Sequence, residues 1–185
     1  MPTDTELLLA SGQGDQTAFA LLVERHHRAI IHFVSRFLGT SQHAMAEDLA
    51  QQVFLSAWRY APTFQPRAKV VTWLFRIATN ACLNYRRHER SRRVALGPEN
   101  LAGIPQKPGN DEAEQRLAQA ERAQKVRAAI AELPPNQRAA IVLRYFHDFS
   151  YEGIGEVLGA STSAVDALLH RARRTLSDRL AVGKK

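Results

Sequence analysis

Through the first half of the chain, apolar residues return every three or four positions. Phe19, Leu22, Val23, Ile30, Phe33, Val34 and Phe37 follow that spacing, which predicts one helix with a single buried face. A second helix is predicted from about Ala44 to Tyr60. Its Leu49, Val53, Phe54, Ala57 and Trp58 point inward, and Glu47, Asp48, Gln51 and Gln52 point outward. Pro62 and Pro66 bracket a loop, after which a third helix covers roughly Val70–Arg90. On it, Leu74, Ile77, Ala78, Ala81 and Tyr85 share one face, while Trp73, Arg76, Asn80, Asn84 and Arg87 share the other.

In the second half, Val126, Ile130 and Leu133 form an inward stripe that Pro134-Pro135 ends, because proline cannot continue the hydrogen-bond ladder. Asn136 is expected to cap a helix running to about Tyr145. Asp148 or Ser150 would cap the next, to Leu158, and Ser161 or Thr162 the last, to about Leu180. Sustained apolar-polar alternation is missing, so the expected fold class is all-α. Between the halves, LGPENLAGIPQKPGNDEAEQ carries three prolines and three glycines and no apolar period. It reads as a linker, giving a helical domain at 1–95, a flexible segment at 96–120 and a second helical domain at 121–185.

Charge divides along the same lines. Residues 1–95 hold 12 Lys/Arg against 7 Asp/Glu, residues 96–120 hold 2 against 4, and residues 121–185 hold 11 against 7. The net +7 and pI near 10.1 favour a polyanionic partner or an acidic protein surface. Cys82 is the single cysteine, so an intramolecular disulfide is excluded and a reducing compartment fits. No apolar run could span a bilayer, and the acidic MPTDTELLLA lacks the form of a signal peptide. A soluble, cytoplasmic protein is expected. No nucleophile–base set, phosphate-cradling glycine loop or metal-ligand spacing appears, so neither catalysis nor a cofactor is expected. His26, His27 and His32 near Glu24 read as surface histidines with one half-buried, since adjacent histidines leave a helix in different directions. Cys82 reads as a small packing residue.

Tyr151–Ala172 fits a helix-turn-helix. Ile154 and Leu158 would face Val165, Leu168 and Leu169. Gly159 stands where a left-handed residue is wanted, and Gly155 where the helices approach too closely for a side chain. Gly153 has no evident reason and should weaken its helix by about 1 kcal/mol relative to alanine. The second helix presents Ser163, Ala164, Asp166, Ala167, His170, Arg171 and Arg174 outward, its first turns toward base edges and its arginines toward phosphates. Asp166 is unexpected there. It either stabilises the positive end of its helix, the preferred reading, or accepts from a cytosine amino group. Trp73, Asn80 and Asn84 with their arginines suit the gripping of unpaired bases, although a core tryptophan explains the stretch equally well. The run RRHERSRR (86–93) beside that face suits phosphate contact.

Four blocks, AEDLAQQVFLSAW (46–58), TWLFRIATNACLNYRR (72–87), LPPNQRAAIVLRYF (133–146) and FSYEGIGEVLGASTSAVDALLHRARRTL (149–176), stand in an order and spacing that resembles the extracytoplasmic-function (ECF) sigma factors of bacterial RNA polymerase. The resemblance covers nearly the whole chain. It implies two helical domains that recruit core polymerase to promoter DNA. Glu47, Asp48, Gln51, Gln52 and Leu55 would bind the clamp coiled coil of the largest subunit, and the linker would thread toward the RNA-exit and flap region. Phe64, Lys69, Trp73, Arg76, Asn80, Asn84 and Arg87 would hold the melted −10 element. Ser161, Thr162, Ser163, Asp166, Ala167, His170, Arg171, Arg173 and Arg174 would read the duplex −35 element. A minimal member is implied, with no appended regulatory module, together with an anti-sigma factor masking the outward face of 46–58. Two positions depart from the usual pattern: Gln52 stands where an acid is common, and Asp166 where a base is common.

The main rival is a stand-alone helix-turn-helix repressor or activator. Such proteins dimerise on paired half-sites, and the 46–58 block would then have no purpose.

Overall fold

The computed structural model describes residues 1–39, 42–96 and 111–182, and every regular element among them is helical. The first group comprises α1 (Asp4–Gly12), α2 (Gln16–Leu38), α3 (His43–Tyr60), a single 3-10 turn (Ala61–Thr63) and α4 (Val70–Leu96). The second comprises α5 (Asp111–Ala131), α6 (Pro135–Phe146), α7 (Tyr151–Leu158) and α8 (Thr162–Val182).

The apolar stripes fall where their spacing put them. Leu22, Ile30, Phe33, Val34 and Phe37 of α2 pack with Leu49, Val53 and Ala57 of α3 and Leu74 and Ala78 of α4, all nearly inaccessible. Phe75 joins them, its ring meeting Phe33 edge-on at 5.4 Å. Trp58 is half-buried against Phe19, with centroids 5.0 Å apart. Helix α1 was not among the predicted elements. Thr3 begins it with a capping box: its hydroxyl accepts from the Glu6 amide at 3.3 Å, and the Glu6 carboxylate accepts from the Thr3 amide at 2.7 Å. Asp4 then pins α1 to α2 through Arg25 at 2.8 Å and His26 at 2.7 Å.

Several boundaries move. Helix α5 begins at Asp111, so the last ten residues expected in the linker are helical, and residues 97–110 lie outside the described ones. Helix α4 runs on to Leu96 rather than Arg90. Asn136 is not a cap, because α6 opens with Pro134 at the cap position and Pro135 as its first residue, where the missing N–H has no partner to lose. Val126 is 37% exposed rather than inward, whereas Ile130 and Leu133 are buried. Ser150, not Asp148, caps α7, accepting from the Gly153 amide at 3.1 Å.

The two groups pack on one another, α4 against α6 and α7, and α2 against α5 and α6. Arg138 of α6 lies in this seam with 4% exposure. It donates to the carbonyl of Phe37 at 2.9 Å, to that of Leu133 at 3.0 Å and to that of Ala131. Beside it, Cys82 is wholly buried, and that burial pushes its thiol far above the ordinary range despite the opposing charges of Arg86 and Arg138. Cys82 should therefore resist alkylation in the native protein and react only once the chain is unfolded, which mass spectrometry with and without denaturant will show.

Candidate nucleic-acid and polymerase interface

The helix-turn-helix is assembled by three glycines, each for its own reason. Gly159 takes the left-handed conformation at φ 64°, and its amide closes the end of α7 onto the Gly155 carbonyl. A Cβ on Gly155 would stand 2.6 Å from the Ala160 carbonyl oxygen, so it is the turn itself, more than the crossing helix, that demands glycine there. Gly153, which had no evident purpose, lies under the Phe149 ring, which a Cβ would meet at 3.1 Å. Arg144 donates to the Phe149 carbonyl at 3.1 Å and tethers α6 to the entry of α7.

Ser161 caps α8, its hydroxyl accepting from the Ala164 amide at 3.2 Å and lying 3.0 Å from the Ser163 hydroxyl. Val165, Leu169 and Ala172 bury the inner stripe of α8, and Leu168 is half-buried. Outward stand Ser161, Thr162, Ser163, Asp166, His170, Arg171, Arg173 and Arg174, all exposed, with Ala167 half-buried among them. Asp166 is the fifth residue of α8, past the free amides of the first turn that Ser161 serves, and it caps nothing. The helix therefore presents a carboxylate on a surface otherwise made of hydroxyls, an imidazole and arginines.

On α4, Arg76, Asn80, Asn84 and Arg87 are exposed along one face, and Lys69 is exposed just before it. Trp73 is half-buried and meets Phe64 edge-on at 5.5 Å. Phe64 itself is only 7% exposed, and its ring supports Trp73. On α3, Glu47, Asp48, Gln51 and Gln52 all face solvent, and Leu55 stands among them with 66% exposure. An aliphatic side chain that open, ringed by polar groups, has the composition of a docking surface. His26 is engaged by Asp4, His27 stacks on Phe54 with centroids 6.0 Å apart, and His32 lines a cleft between the helical groups.

Two family models match this arrangement, Sigma-70 region 2 over residues 22–92 and Sigma-70 region 4 over residues 123–176. The ECF RNA polymerase sigma factor SigE of Mycolicibacterium smegmatis is 36% identical over 182 residues, covering 97% of this chain and 68% of its own. The chain belongs to the ECF sigma factors. The sigma-E factor of Escherichia coli is 31% identical over 183 residues, covering 96% of this chain and 94% of its own. Among solved structures, CnrH in complex with the cytosolic domain of CnrY superimposes with a TM-score of 0.68 at 27% identity, covering 97% of both chains. The sigma factor RpoE of Bartonella quintana, solved with the anti-sigma factor NepR, gives 0.65 at 26% identity, covering 89% of this chain and 97% of the other.

An ECF sigma factor is a transcription initiation factor that directs core RNA polymerase to promoters. Among the described residues, no helix is long and apolar enough to cross a membrane. Arg138, Phe75 and His147, all in the seam, were not singled out in the sequence. The one available signal was that Arg138 and Phe75 sit within blocks of otherwise apolar, helix-spaced residues.

The Gly155→Ala variant should lose about 2 kcal/mol of stability because the turn carbonyl cannot move aside. Gly159→Ala, strained but in open space, should lose only about 1 kcal/mol. Urea unfolding of both variants checks that order.

Proposed function

We propose that residues 1–95 act as the domain that binds core polymerase and the −10 element, and that residues 121–185 read the −35 element, with 96–120 joining them. The observation that carries this is the outward face of α8, where exposed Ser161, Thr162, Ser163, Asp166, His170, Arg171, Arg173 and Arg174 flank half-buried Ala167 over a buried inner stripe. The first turns meet base edges and the arginines meet phosphates. Arg76, Asn80, Asn84 and Arg87 of α4, with Lys69 and the propped Trp73, hold melted bases of the −10 element, while Phe64 fixes the tryptophan. Glu47, Asp48, Gln51, Gln52 and Leu55 dock on the clamp coiled coil. The factor works in the cytoplasm without cofactor or reaction of its own. An anti-sigma factor covers the outward face of α3, a reading supported by the two similar factors solved with CnrY and with NepR.

Run-off transcription tests the assignment. Purified protein with core polymerase and promoter DNA should give a discrete transcript, and neither component alone should give one. Tight, core-independent binding of a dimer to duplex DNA would instead make it a stand-alone regulator. Replacing Leu55 by Asp should weaken core binding at least tenfold, on the order of 1.4 kcal/mol, without changing helix content in circular dichroism.

Asp166 decides the sequence preference. Since it caps nothing in α8, its carboxylate is available to accept from an exposed base amino group, and a good base contact discriminates by about 1–3 kcal/mol. Asp166→Ala should flatten the preference among −35 variants by roughly tenfold or more at one base pair while leaving −10 preference unchanged. Transcription from a −35 library read by sequencing checks it. A uniform loss across the library would assign Asp166 to helix stability.

A further inference from the structure

The seam between the two helical groups is built around one side chain that neither DNA nor polymerase contact explains. His147, just after α6, sits against Phe75 of α4 with centroids 4.8 Å apart and against Phe33 of α2 at 5.9 Å. Phe149 lies against the Phe75 ring in turn, with centroids 5.0 Å apart. The Nε2 of His147 is buried and has no hydrogen-bond partner. A buried polar atom left without a partner is costly and rare, so its retention calls for a reason.

The same seam brings the two reading surfaces close together. Phe149 lies two residues before α7, an eight-residue helix about 12 Å long at ~1.5 Å per residue, and α8 follows directly. Phe75 lies two residues beyond Trp73. With those rings in contact, the first turn of α8 and the outward face of α4 are separated by no more than roughly 50 Å. Elements named for positions −10 and −35 are about 25 base pairs apart, or roughly 85 Å of B-form DNA. The closed arrangement cannot reach both.

We propose that His147, set against Phe33 and Phe75, is a proton-operated latch that holds the factor closed, and that its protonation lets the two domains separate to span a promoter. The promoter consequence rests on the sigma-factor reading above, whereas the latch itself is a property of the chain alone.

Charge around the ring decides the direction. Arg36 and His32 of α2 face it, Asp148 adjoins it in the loop, and α4 brings the Phe75 ring against it. A proton on His147 therefore meets two basic groups and one acid in largely apolar surroundings. Burial lowers its pKa to about 4, with Arg36 and His32 adding to the fall and Asp148 opposing it. Once exposed by opening, an imidazole titrates near 6.5. Neutral His147 thus supports the closed form fully above about pH 6.5, and that support is lost progressively as pH falls toward 4. Between pH 7.5 and 5.5 the ratio of closed to open forms should fall several-fold, and by at most about tenfold. The other clasps across the seam, Arg138 on the Phe37 carbonyl and Arg36 over the Phe146 ring at 4.0 Å, involve no imidazole.

Small-angle X-ray scattering of the full chain at pH 7.5 and 5.5, with circular dichroism as a check on helix content, tests the latch. The wild type should expand by several ångströms in radius of gyration at pH 5.5 with its helix content intact. The His147→Phe variant, which fills the same space without a titrating atom, should stay compact at both values, and His147→Leu serves if that variant loses helix. An unchanged wild-type radius, an open wild type at pH 7.5, or equal expansion of the variant would overturn the proposal. No DNA or polymerase enters the scattering measurement, so it decides the latch independently. Run-off transcription at pH 7.5 decides the sigma reading separately.

Discussion

Arg138 carries a charge into the centre of the molecule with no carboxylate to meet it among the described residues, and the arrangement works because of what its guanidinium does find. Its nitrogens reach the carbonyls of Phe37, in the last turn of α2, of Ala131, which ends α5, and of Leu133 just beyond. Helix C-termini expose unpaired carbonyls and concentrate the negative end of the helix dipole, so two such ends replace a counter-ion. Burial lowers the Arg138 pKa to about 10, with neighbouring Arg86 contributing, which still leaves it fully charged near neutrality. Arg86 donates to the Leu38 carbonyl at 3.0 Å and serves the same end of α2. One planar cation thus fixes the turn between α5 and α6 and docks the second helical group on the first. A lysine could not do this, because a point charge lacks the fork that reaches three carbonyls at once.

With the interior held in this way, the outer faces are free to be polar. The helix-turn-helix shows how narrowly the inside constrains the outside. Gly155 brings α7 against the Ala160 carbonyl, Gly159 reverses the chain, and Ser161 satisfies the first amides of α8. Those three residues set the angle at which α8 leaves the body, and therefore which side chains project. Nothing in that machinery uses Asp166, His170 or Arg171, so these positions can change while the frame stays the same.

Much of this was legible in the sequence, and the failures have a common cause. Long amphipathic helices such as α2 and α3 announce themselves, since seven apolar residues at helical spacing on the one and five on the other admit one reading. The turn glycines did so too, because left-handed backbone and close approach leave few alternatives. Helix α1 is too short to show a stripe, and its true signal was the Thr3–Glu6 capping box. The support that Phe64 gives Trp73 is not legible in the sequence, because an aromatic beside lysine and arginine looks alike whether it faces a ligand or props another ring. His147 and Arg138 were passed over because spacing along one helix cannot say what a distant helix will bring against it. The packing of α6 on α2 and α4 buries Arg138 and half-buries His147, which follows α6 directly.

That packing also runs against the charge. Residues 1–95 carry a net +5 and residues 121–185 a net +4, so bringing the two groups together costs repulsion that salt screens only in part. The seam offsets it with aromatic contact and with arginines placed on carbonyls and rings, interactions that need no acid: Arg138 lies 5.2 Å from the Phe37 ring centroid and Arg36 4.0 Å from that of Phe146. A polyanion offsets the same repulsion differently, by neutralising each basic surface where it stands. A polyanion would therefore remove a cost of closure without favouring closure, since the basic faces of α4 and α8 already point to solvent. What holds the two groups together against that repulsion is a seam of rings and arginines that also encloses an unpartnered imidazole nitrogen.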